Sequence, residues 1–230
     1  MRMLHPDPGF DLTYNDVFMV PSLSDVPSRM DVDLTTPDGI GTTIPIVVAN
    51  MTAVAGRRMA ETVARRGGLA VLPQDIPVDV VGKVIDSVKR CHTVFETPIT
   101  LTPDATIADA LALIHKRAHG AVVVVENGDP VGVFTEGDGE GFDRFTQLRN
   151  VMSSSLHILR PDIAPDHAFE YLDQNRLKVA PVVDDAGHLL GVITRDGALR
   201  SPIYTPAVDA DGRLMVGVAV GINGEPARRA

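Results

Sequence analysis

The sequence predicts an α/β fold in which a mostly parallel sheet is interrupted by an inserted internal repeat. Apolar residues occur in short runs of Val, Ala, Leu and Ile, and only 4% of the 230 residues are aromatic. Such runs are typical of parallel strands that helices cover on both faces. In the first ninety residues these runs alternate with amphipathic segments, and two stretches of the next hundred residues match each other.

The first part of the chain has the pattern strand, helix, strand, helix. A short strand is expected at residues 44–49, and the helix behind it should end at Gly67 and Gly68, where glycine can adopt a positive φ. A second strand, Leu69–Leu72, stops at Pro73, and the next helix opens at Pro77. Apolar or small residues recur at helical spacing on one face of each helix: Met59, Ala60, Val63 and Ala64 in the first, and Val81, Val84, Ile85 and Val88 in the second.

From about Val94 the sequence repeats itself. Residues 132–135 (Gly-Val-Phe-Thr) match residues 191–194 (Gly-Val-Ile-Thr), and Ala121 is matched by Ala180 at the same offset of 59 residues. Each copy has the pattern helix, strand, turn, strand, then a Thr that leads into another helix, and Thr106 with Asp109 has the spacing of a capping pair. Because neither copy of about 60 residues can bury its sheet alone, the two should pack face to face.

The end of the chain returns to the first pattern, with an apolar run at residues 214–220 that predicts a third strand of the parallel sheet. The net charge of −9 has no basic cluster to break its sign, which argues against a nucleic-acid or anionic-membrane surface. No apolar run approaches the ~20 residues that a membrane span needs. We therefore expect a cytoplasmic protein with neither nucleic acid nor membrane as a partner.

Several separated motifs carry a family resemblance: residues 12–17 (Leu-Thr-Tyr-Asn-Asp-Val), 45–51 (Pro-Ile-Val-Val-Ala-Asn-Met), 64–68 (Ala-Arg-Arg-Gly-Gly) and 212–217 (Gly-Arg-Leu-Met-Val-Gly). In order and spacing they resemble the IMP dehydrogenase/GMP reductase family. The repeat resembles the pair of CBS modules, or Bateman module, that this family inserts into its barrel. The chain looks most like the actinobacterial CBS-containing branch, for which GMP reductase is the activity implied.

The resemblance implies a partial (β/α)8 TIM barrel, about its first three strands, interrupted by a tandem CBS module. Residues 1–93 would be the N-terminal part of the barrel, 94–152 the first CBS module, 153–200 the second, and 201–230 the resumed barrel. A barrel of this kind takes about 250 residues and eight strands to close. We therefore expect an N-terminal portion of a protein roughly twice as long, or an interrupted reading frame, which the DNA beyond the last codon would show.

The implied activity is a purine nucleotide oxidoreductase, most simply GMP to IMP with NADPH; the alternatives are an IMP dehydrogenase or a stand-alone purine-nucleotide-binding CBS protein. The complete enzyme would use NADP or NAD, with a monovalent cation possible, and would form a homo-oligomer; this chain alone should need no cofactor and hold no metal. The family's nucleophilic loop reads Ser-x-Cys-x-Thr, which this sequence lacks. Its single cysteine, Cys91, is expected to be an ordinary thiol, because neighbours on a helix such as Cys91 and His92 do not face each other.

For the substrate, the resemblance points to Asn50 and Met51, which match the family segment beneath the purine. A methionine thioether can cover an aromatic face, although core filling is the alternative role for Met51. The chain departs from the family nearby: Thr52 stands where most members have Asp, and Pro73 with Gln74 stand where dehydrogenases commonly have His-Lys or similar. These departures leave open whether the complete protein acts on another purine.

For the regulatory nucleotide, CBS modules use a Thr for phosphate and an Asp three residues later for the ribose hydroxyls. Thr135 and Asp138 keep this spacing, whereas in the second copy Thr194 is followed by Asp196, one residue too early. A one-residue shift rotates a helical side chain by about 100°, so we expect a competent first site and a weakened second one. Helix capping is the alternative role for these Thr and Asp residues.

Cationic residues precede the first strand of each copy at equivalent places. Lys116, Arg117 and His119 lie in the first copy, and Arg176 and Lys178 in the second. They are candidate phosphate ligands, with Lys116 and Lys178 the two favoured; solvated surface charge is the alternative.

Overall fold

The N-terminal segment carries little regular structure. The computed structural model describes residues 9–222 and 226–229, in two units, Met1–Leu34 and Thr35–Ala230. The described part of the first unit contains the single-turn 3-10 helices Tyr14–Asp16 and Arg29–Asp31. The backbone N–H and the hydroxyl of Thr13 both donate to one carboxylate oxygen of Asp16, at 2.8 and 2.6 Å, which closes the first of these turns.

The second unit holds the α/β structure. Its helices and strands follow in the order β1 (Val47–Val48), α1 (Arg57–Arg65), β2 (Leu69–Leu72), α2 (Val78–Lys89), β3 (Thr100–Leu101), α3 (Ile107–Ile114), β4 (Ala121–Glu126), β5 (Asp129–Thr135), α4 (Pro165–Gln174), β6 (Val179–Val183), β7 (Leu189–Thr194), α5 (Arg195–Arg200), β8 (Gly217–Val218) and α6 (Pro226–Arg229). Short 3-10 helices lie at Glu136–Gly139, Leu148–Asn150 and Ser201–Ile203.

A parallel three-stranded sheet brings together the two ends of this unit. β2 lies between β1 and β8 and is parallel to both, with Val47 opposite Leu69 and Val71 opposite Gly217. The chain therefore leaves the sheet after α2 and re-enters it beside β2. The small core under this sheet consists of Ala60, Ala64, Ala70, Val88 and Leu214. The predicted α/β architecture is confirmed.

Two of the predicted strands are shorter in the structure than in the sequence-based prediction. Only Val47–Val48 of residues 44–49 forms a strand, since Pro45 has no N–H and, among the described residues, β1 pairs with β2 alone. Only Gly217–Val218 of residues 214–220 does so, because the start of this run pairs with the segment before it: Leu214 bridges Val208. β2 has its predicted range, α1 ends at Arg65 just before the predicted Gly67 and Gly68, and α2 begins directly after Pro77.

The two copies of the repeat have matching folds. In the first copy β3 is parallel to β4, with Thr100 opposite Val123, and in the second Leu159 is opposite Val182, so both partners are displaced by the repeat offset of 59 residues. Antiparallel hairpins follow in both, β4 with β5 and β6 with β7. The capping box predicted from Thr106 is present at the start of α3.

The two copies also exchange main-chain hydrogen bonds. Glu96, which enters the first copy, pairs with Val192 of β7 through two N–H···O bonds of 2.9 Å. Ser153, which enters the second copy, pairs with Val133 of β5 in the same way, at 2.9 and 3.0 Å. Each copy thus completes the sheet of the other, as two half-units that cannot bury their sheets alone must do.

This exchange explains why both copies have a glycine at the same position of the repeat. A side chain at Gly191 would place its Cβ 2.8 Å from Phe95 Cβ and 3.0 Å from the Glu96 carbonyl oxygen. At the equivalent Gly132 the Cβ would meet the sulfur of Met152 and lie 2.8 Å from its Cγ. Only glycine permits the crossing segments to come this close.

Candidate functional site

A cavity of about 1130 Å³ lies where α1 faces both copies of the repeat. We call it the junction cavity. The sheet region, here the loop after β1 together with α1, contributes Thr52, Ala53, Val54, Gly56, Arg57, Arg58, Met59, Thr62, Arg65 and Arg66. The first copy and the segment that enters it contribute Thr93, Val94, Glu96, Lys116, Arg117, Ala118 and His119. The second copy and the segment that leaves it contribute Lys178, Thr194, Arg195, Asp196, Gly197, Arg200, Ser201, Tyr204 and Pro206. Its volume is sufficient for a nucleotide.

The junction cavity is strongly basic, although the protein as a whole is acidic. Nine arginines and lysines line it against two carboxylates, Glu96 and Asp196, whereas the whole chain carries a net charge of −9. A concave site of this sign concentrates anions, and phosphate groups are the anions that clustered Arg and Lys side chains recognise best.

Some of these cations are already paired. Arg57, Arg65 and Arg117 pair with Glu61, and Arg195 pairs with Asp173. Within the part of the chain that the structure describes, five others line the cavity without a carboxylate partner: Arg58, Arg66, Lys116, Lys178 and Arg200. These five are the charges available to an anionic ligand.

Glu61 ties α1 to the first copy of the repeat. Its side chain is fully buried and accepts hydrogen bonds from Arg57 Nε at 2.7 Å, Arg117 at 2.9 Å and the Thr97 hydroxyl at 2.8 Å. Burial alone would raise the pKa of Glu61, but the hydrogen bonds from Arg117 and Arg57 outweigh it and hold the pKa below its ordinary value. The carboxylate is therefore charged and holds one wall of the cavity in place.

Sequence reasoning missed Glu61, although a signal was present. It lies next to Ala60 and three residues before Ala64 on the apolar face of α1, with Arg57 one turn earlier. A carboxylate on a buried helix face must find cationic partners. The sequence could not show that one of those partners, Arg117, comes from 56 residues further along the chain.

Four of the predicted regulatory residues line the junction cavity. Lys116 comes from the first copy, and Lys178, Thr194 and Asp196 come from the second. The Thr194 hydroxyl accepts from the Gly197 backbone N–H at 2.8 Å and lies 3.2 Å from a carboxylate oxygen of Glu96, to which it donates. Asp196 is exposed on the cavity wall, so its carboxylate is free to accept hydrogen bonds from a ligand.

The equivalent pair of the first copy lies outside this cavity. One carboxylate oxygen of Asp138 accepts both the backbone N–H and the hydroxyl of Thr135, at 2.7 and 2.8 Å. The pair thus forms a capping box around the 3-10 helix Glu136–Gly139, which is shorter than the helix predicted there. The structure does not bring Thr135 and Asp138 together with the other predicted residues.

The predicted substrate residues lie beside the cavity rather than in it. Asn50 and Met51 follow β1 and are exposed, Met51 by 58%. The next residue, Thr52, lines the cavity and donates to Asp75 at 2.8 Å, so it links the loops after β1 and β2. One loop, residues 49–56, therefore carries both the predicted purine-binding residues and part of the cavity wall.

His119 is the buried polar group that this part of the structure leaves unsatisfied. Its side chain lines the cavity, is 6% exposed, and has no hydrogen-bond partner at Nε2 among the described residues, while Nδ1 accepts from the Ala121 N–H at 3.4 Å. Burial lowers the pKa of His119, and Arg117 adds to this, although Glu96 and the Thr97 backbone oppose it. Because Nδ1 accepts from the Ala121 N–H, the ring proton is assigned to Nε2.

Cys91 and His92 point to different partners, as expected for neighbours at a helix end. The Cys91 thiol donates to the Ser87 carbonyl at 3.1 Å. The His92 ring accepts backbone N–H groups at Nδ1 and stacks on Phe95 at 4.3 Å. Neither residue lines the junction cavity.

A family model described as "IMP dehydrogenase / GMP reductase domain" matches residues 11–230. The chain belongs to the IMP dehydrogenase/GMP reductase family. GMP reductases of Mycobacterium tuberculosis and Mycobacterium bovis are 53% identical to it over 232 residues, covering 100% of this chain and 48% of their own length. The inosine-5'-monophosphate dehydrogenase of Nitrosopumilus maritimus is 34% identical over 219 residues, covering 93% of this chain and 46% of its own. The chain thus spans about half the length of these family members, and the resemblance seen in the sequence is confirmed.

Solved structures of the family agree with the fold. A GMP reductase variant from Trypanosoma brucei in complex with guanosine 5'-monophosphate matches with a TM-score of 0.63 at 28% identity, over 95% of this chain and 48% of that one. GMP reductase from the same organism in complex with guanosine 5'-triphosphate matches with a TM-score of 0.62, over 95% and 55%. Among the described residues, no helix combines the length and apolar character that crossing a membrane requires.

Proposed function

We propose that this chain forms part of a GMP reductase, an NADPH-dependent enzyme that converts GMP to IMP, and that its repeat is a CBS pair that binds purine nucleotides and regulates the enzyme. The observation that carries the assignment is the level of identity. It is 53% over the whole chain to GMP reductases, against 34% and 35% to IMP dehydrogenases. GMP reductase is therefore favoured over the dehydrogenase.

In this proposal the parallel sheet supplies the start of the substrate site. The carboxyl ends of β1, β2 and β8 lie at one edge of the sheet, which is where parallel α/β folds bind ligands. Asn50 and Met51 follow β1 at this edge, and the exposed Met51 thioether is free to cover a purine face. Because the sequence has no Ser-x-Cys-x-Thr string, the nucleophile and the redox step lie outside these residues. A homo-oligomer is expected for the complete enzyme.

The regulatory part of the proposal is supported by the junction cavity. It combines five cations that have no carboxylate partner among the described residues with the exposed carboxylate of Asp196, which can accept both ribose hydroxyls. The sequence predicted a competent first copy and a weakened second copy, yet the cavity gathers the residues of the second. We propose the second copy's site as the regulatory one.

A half-for-half exchange tests the catalytic proposal. In the experiment, this chain replaces the corresponding first half of Mycobacterium tuberculosis GMP reductase, and absorbance at 340 nm follows NADPH. The chimera should consume NADPH with GMP, the chain alone should not, and neither should reduce NAD+ with IMP. Because the donor half supplies the nucleophile, a folded chimera that consumes no NADPH with GMP would contradict the assignment of this chain to a GMP reductase.

A second candidate is a stand-alone nucleotide-binding protein, which the junction cavity favours because this chain supplies the residues that line it. A folded chimera that is inert with both substrates, together with purine nucleotide binding by the chain alone, would favour this candidate. Binding is measured by isothermal titration of the chain with ATP and GTP.

A further inference from the structure

We propose that the phosphates of the regulatory nucleotide are held by arginines of α1, so that the site extends from the second copy of the repeat onto the helix that follows β1. The inference rests on the proposed nucleotide-sensing function and names its mechanism. The ligand class is a polyphosphate, and the new ligand-binding residues are Arg58 and Arg66, which belong to the sheet region and not to the repeat.

Positive charge without a carboxylate partner lies at both ends of α1. Arg58 lies in the first turn of α1 and Arg66 caps its end, and neither has a carboxylate partner among the described residues. Arg58 donates to the Lys116 carbonyl, and Arg66 lies over the Tyr204 ring at 5.7 Å, so both side chains stay at the cavity. Lys116 and Lys178 face them from the two copies of the repeat. A polyphosphate placed among these four would neutralise charges that the protein leaves uncompensated.

The start of α1 has the wrong charge for a helix N-terminus. Its first turn contains Arg57 and Arg58 and no acidic residue, and Gly56 offers no side-chain cap. Cations at the positive end of a helix dipole are unfavourable, and acidic residues are usually found there. Glu61 compensates Arg57 from one turn further on, but no carboxylate among the described residues compensates Arg58. A bound anion would compensate the charge of Arg58.

A buried polar atom of His119 supports the same site independently of the charges. Its buried Nε2 makes no hydrogen bond among the described residues, while Nδ1 accepts from the Ala121 N–H. A buried donor without a partner is costly and marks a place where an oxygen is missing. His119 lines the same cavity, and a phosphate oxygen would satisfy it without any change in the protonation of the ring.

The consequence is a physical link from regulator to substrate. The loop between β1 and α1, residues 49–56, lines the cavity through Thr52, Ala53 and Val54 and carries the predicted purine-binding residues Asn50 and Met51. A ligand that draws in Arg58 acts on the helix that this loop enters. Nucleotide occupancy is thereby transmitted to the substrate side through one short segment.

The test is isothermal titration of the 230-residue chain with inorganic tripolyphosphate and with GTP. The Arg58→Gln/Arg66→Gln variant should bind both probes at least about tenfold more weakly, because it loses two charge-assisted contacts. The Lys83→Gln/Arg144→Gln variant, which removes the same charge from exposed positions outside the cavity, should stay within about twofold of the wild type. Arg58→Lys/Arg66→Lys should retain most of the binding, which guards against a folding defect in the glutamine variant.

A further variant separates this inference from the proposed sensor function. Asp196→Ala should weaken GTP but leave tripolyphosphate unchanged, because tripolyphosphate has no ribose. If GTP binds the arginine variant as tightly as it binds the charge-matched control, the α1 inference is overturned and the sensor function stands. If tripolyphosphate binding depends on the arginines but GTP binds no better than tripolyphosphate, the α1 site stands and purine sensing fails. If neither probe binds the wild type, both are overturned.

Discussion

Replacing Glu61 by Gln tests whether the buried carboxylate holds α1 against the repeat. The two carboxylate oxygens accept from Arg57, Arg117 and Thr97 at 2.7 to 2.9 Å, and the side chain has no exposed surface. The amide of glutamine has one accepting oxygen, so one of its ends must turn an N–H₂ group toward a donor. At least one arginine then loses its anionic partner.

The magnitude follows from how exposed the partners are. Arg57 is 45% exposed and can recover water, so its loss should contribute less than about 1 kcal/mol. Arg117 is 14% exposed, and breaking a buried pair by removing one partner typically costs 3–5 kcal/mol. We expect Glu61→Gln to lower the free energy of unfolding by about 3 kcal/mol, a loss that Arg117→Gln made in addition should increase only slightly.

The assay is urea unfolding followed by far-UV circular dichroism, because the chain has no tryptophan. Glu170→Gln is the matched control: Glu170 lies in a helix, α4, but is exposed, so this change should stay within about 0.5 kcal/mol. A loss below about 1 kcal/mol for Glu61→Gln, or full additivity with Arg117→Gln, would refute the role assigned to this carboxylate.

Three further predictions follow from the structure. Gly191→Ala should lower the free energy of unfolding by about 2 kcal/mol, because its Cβ meets a backbone oxygen. Gly132→Ala should lower it less, because its Cβ meets a flexible methionine side chain. Equal losses in urea unfolding would contradict the strand exchange. Gly82→Ala should stabilise by about 0.5–1 kcal/mol in thermal unfolding, since Gly82 is inside α2 with open space around it, and a loss would count against the helix as described. The pKa of His119 is lowered in the fold, so on acidification the unfolded chain binds a proton before the folded chain does. The free energy of unfolding should therefore fall as pH drops below about 6.5. His119→Gln should flatten this pH dependence, and an unchanged dependence would refute the burial of this ring.

Much of the fold could be predicted from the sequence because local patterns determine it. The apolar run at Leu69–Leu72 and the offset of 59 residues each predicted structure that is present. Strand length could not be predicted, since it depends on neighbours: residues 214–220 are uniformly apolar, but part of the run turns back to pair with Val208. The exchange through Glu96 and Ser153 was equally invisible, because main-chain pairing leaves little trace in side-chain type.

The candidate site was predicted in part. Lys116, Lys178, Thr194 and Asp196 were identified from the repeat, and the structure places all four in one cavity. The spacing argument favoured the first copy, yet a well-spaced Thr and Asp can satisfy each other, as Thr135 and Asp138 do. The arginines of α1 were not identified, because a charged helix face is ordinarily solvated and only the fold brings the repeat against it.

Hydrogen–deuterium exchange of the intact chain, recorded by mass spectrometry with and without GTP, is the most direct measurement of whether the junction cavity is the nucleotide site. GTP should slow exchange at residues 52–58, 116–121 and 194–197 together, because all three segments border the cavity. Slowed exchange confined to residues 135–139, or none anywhere, would contradict it.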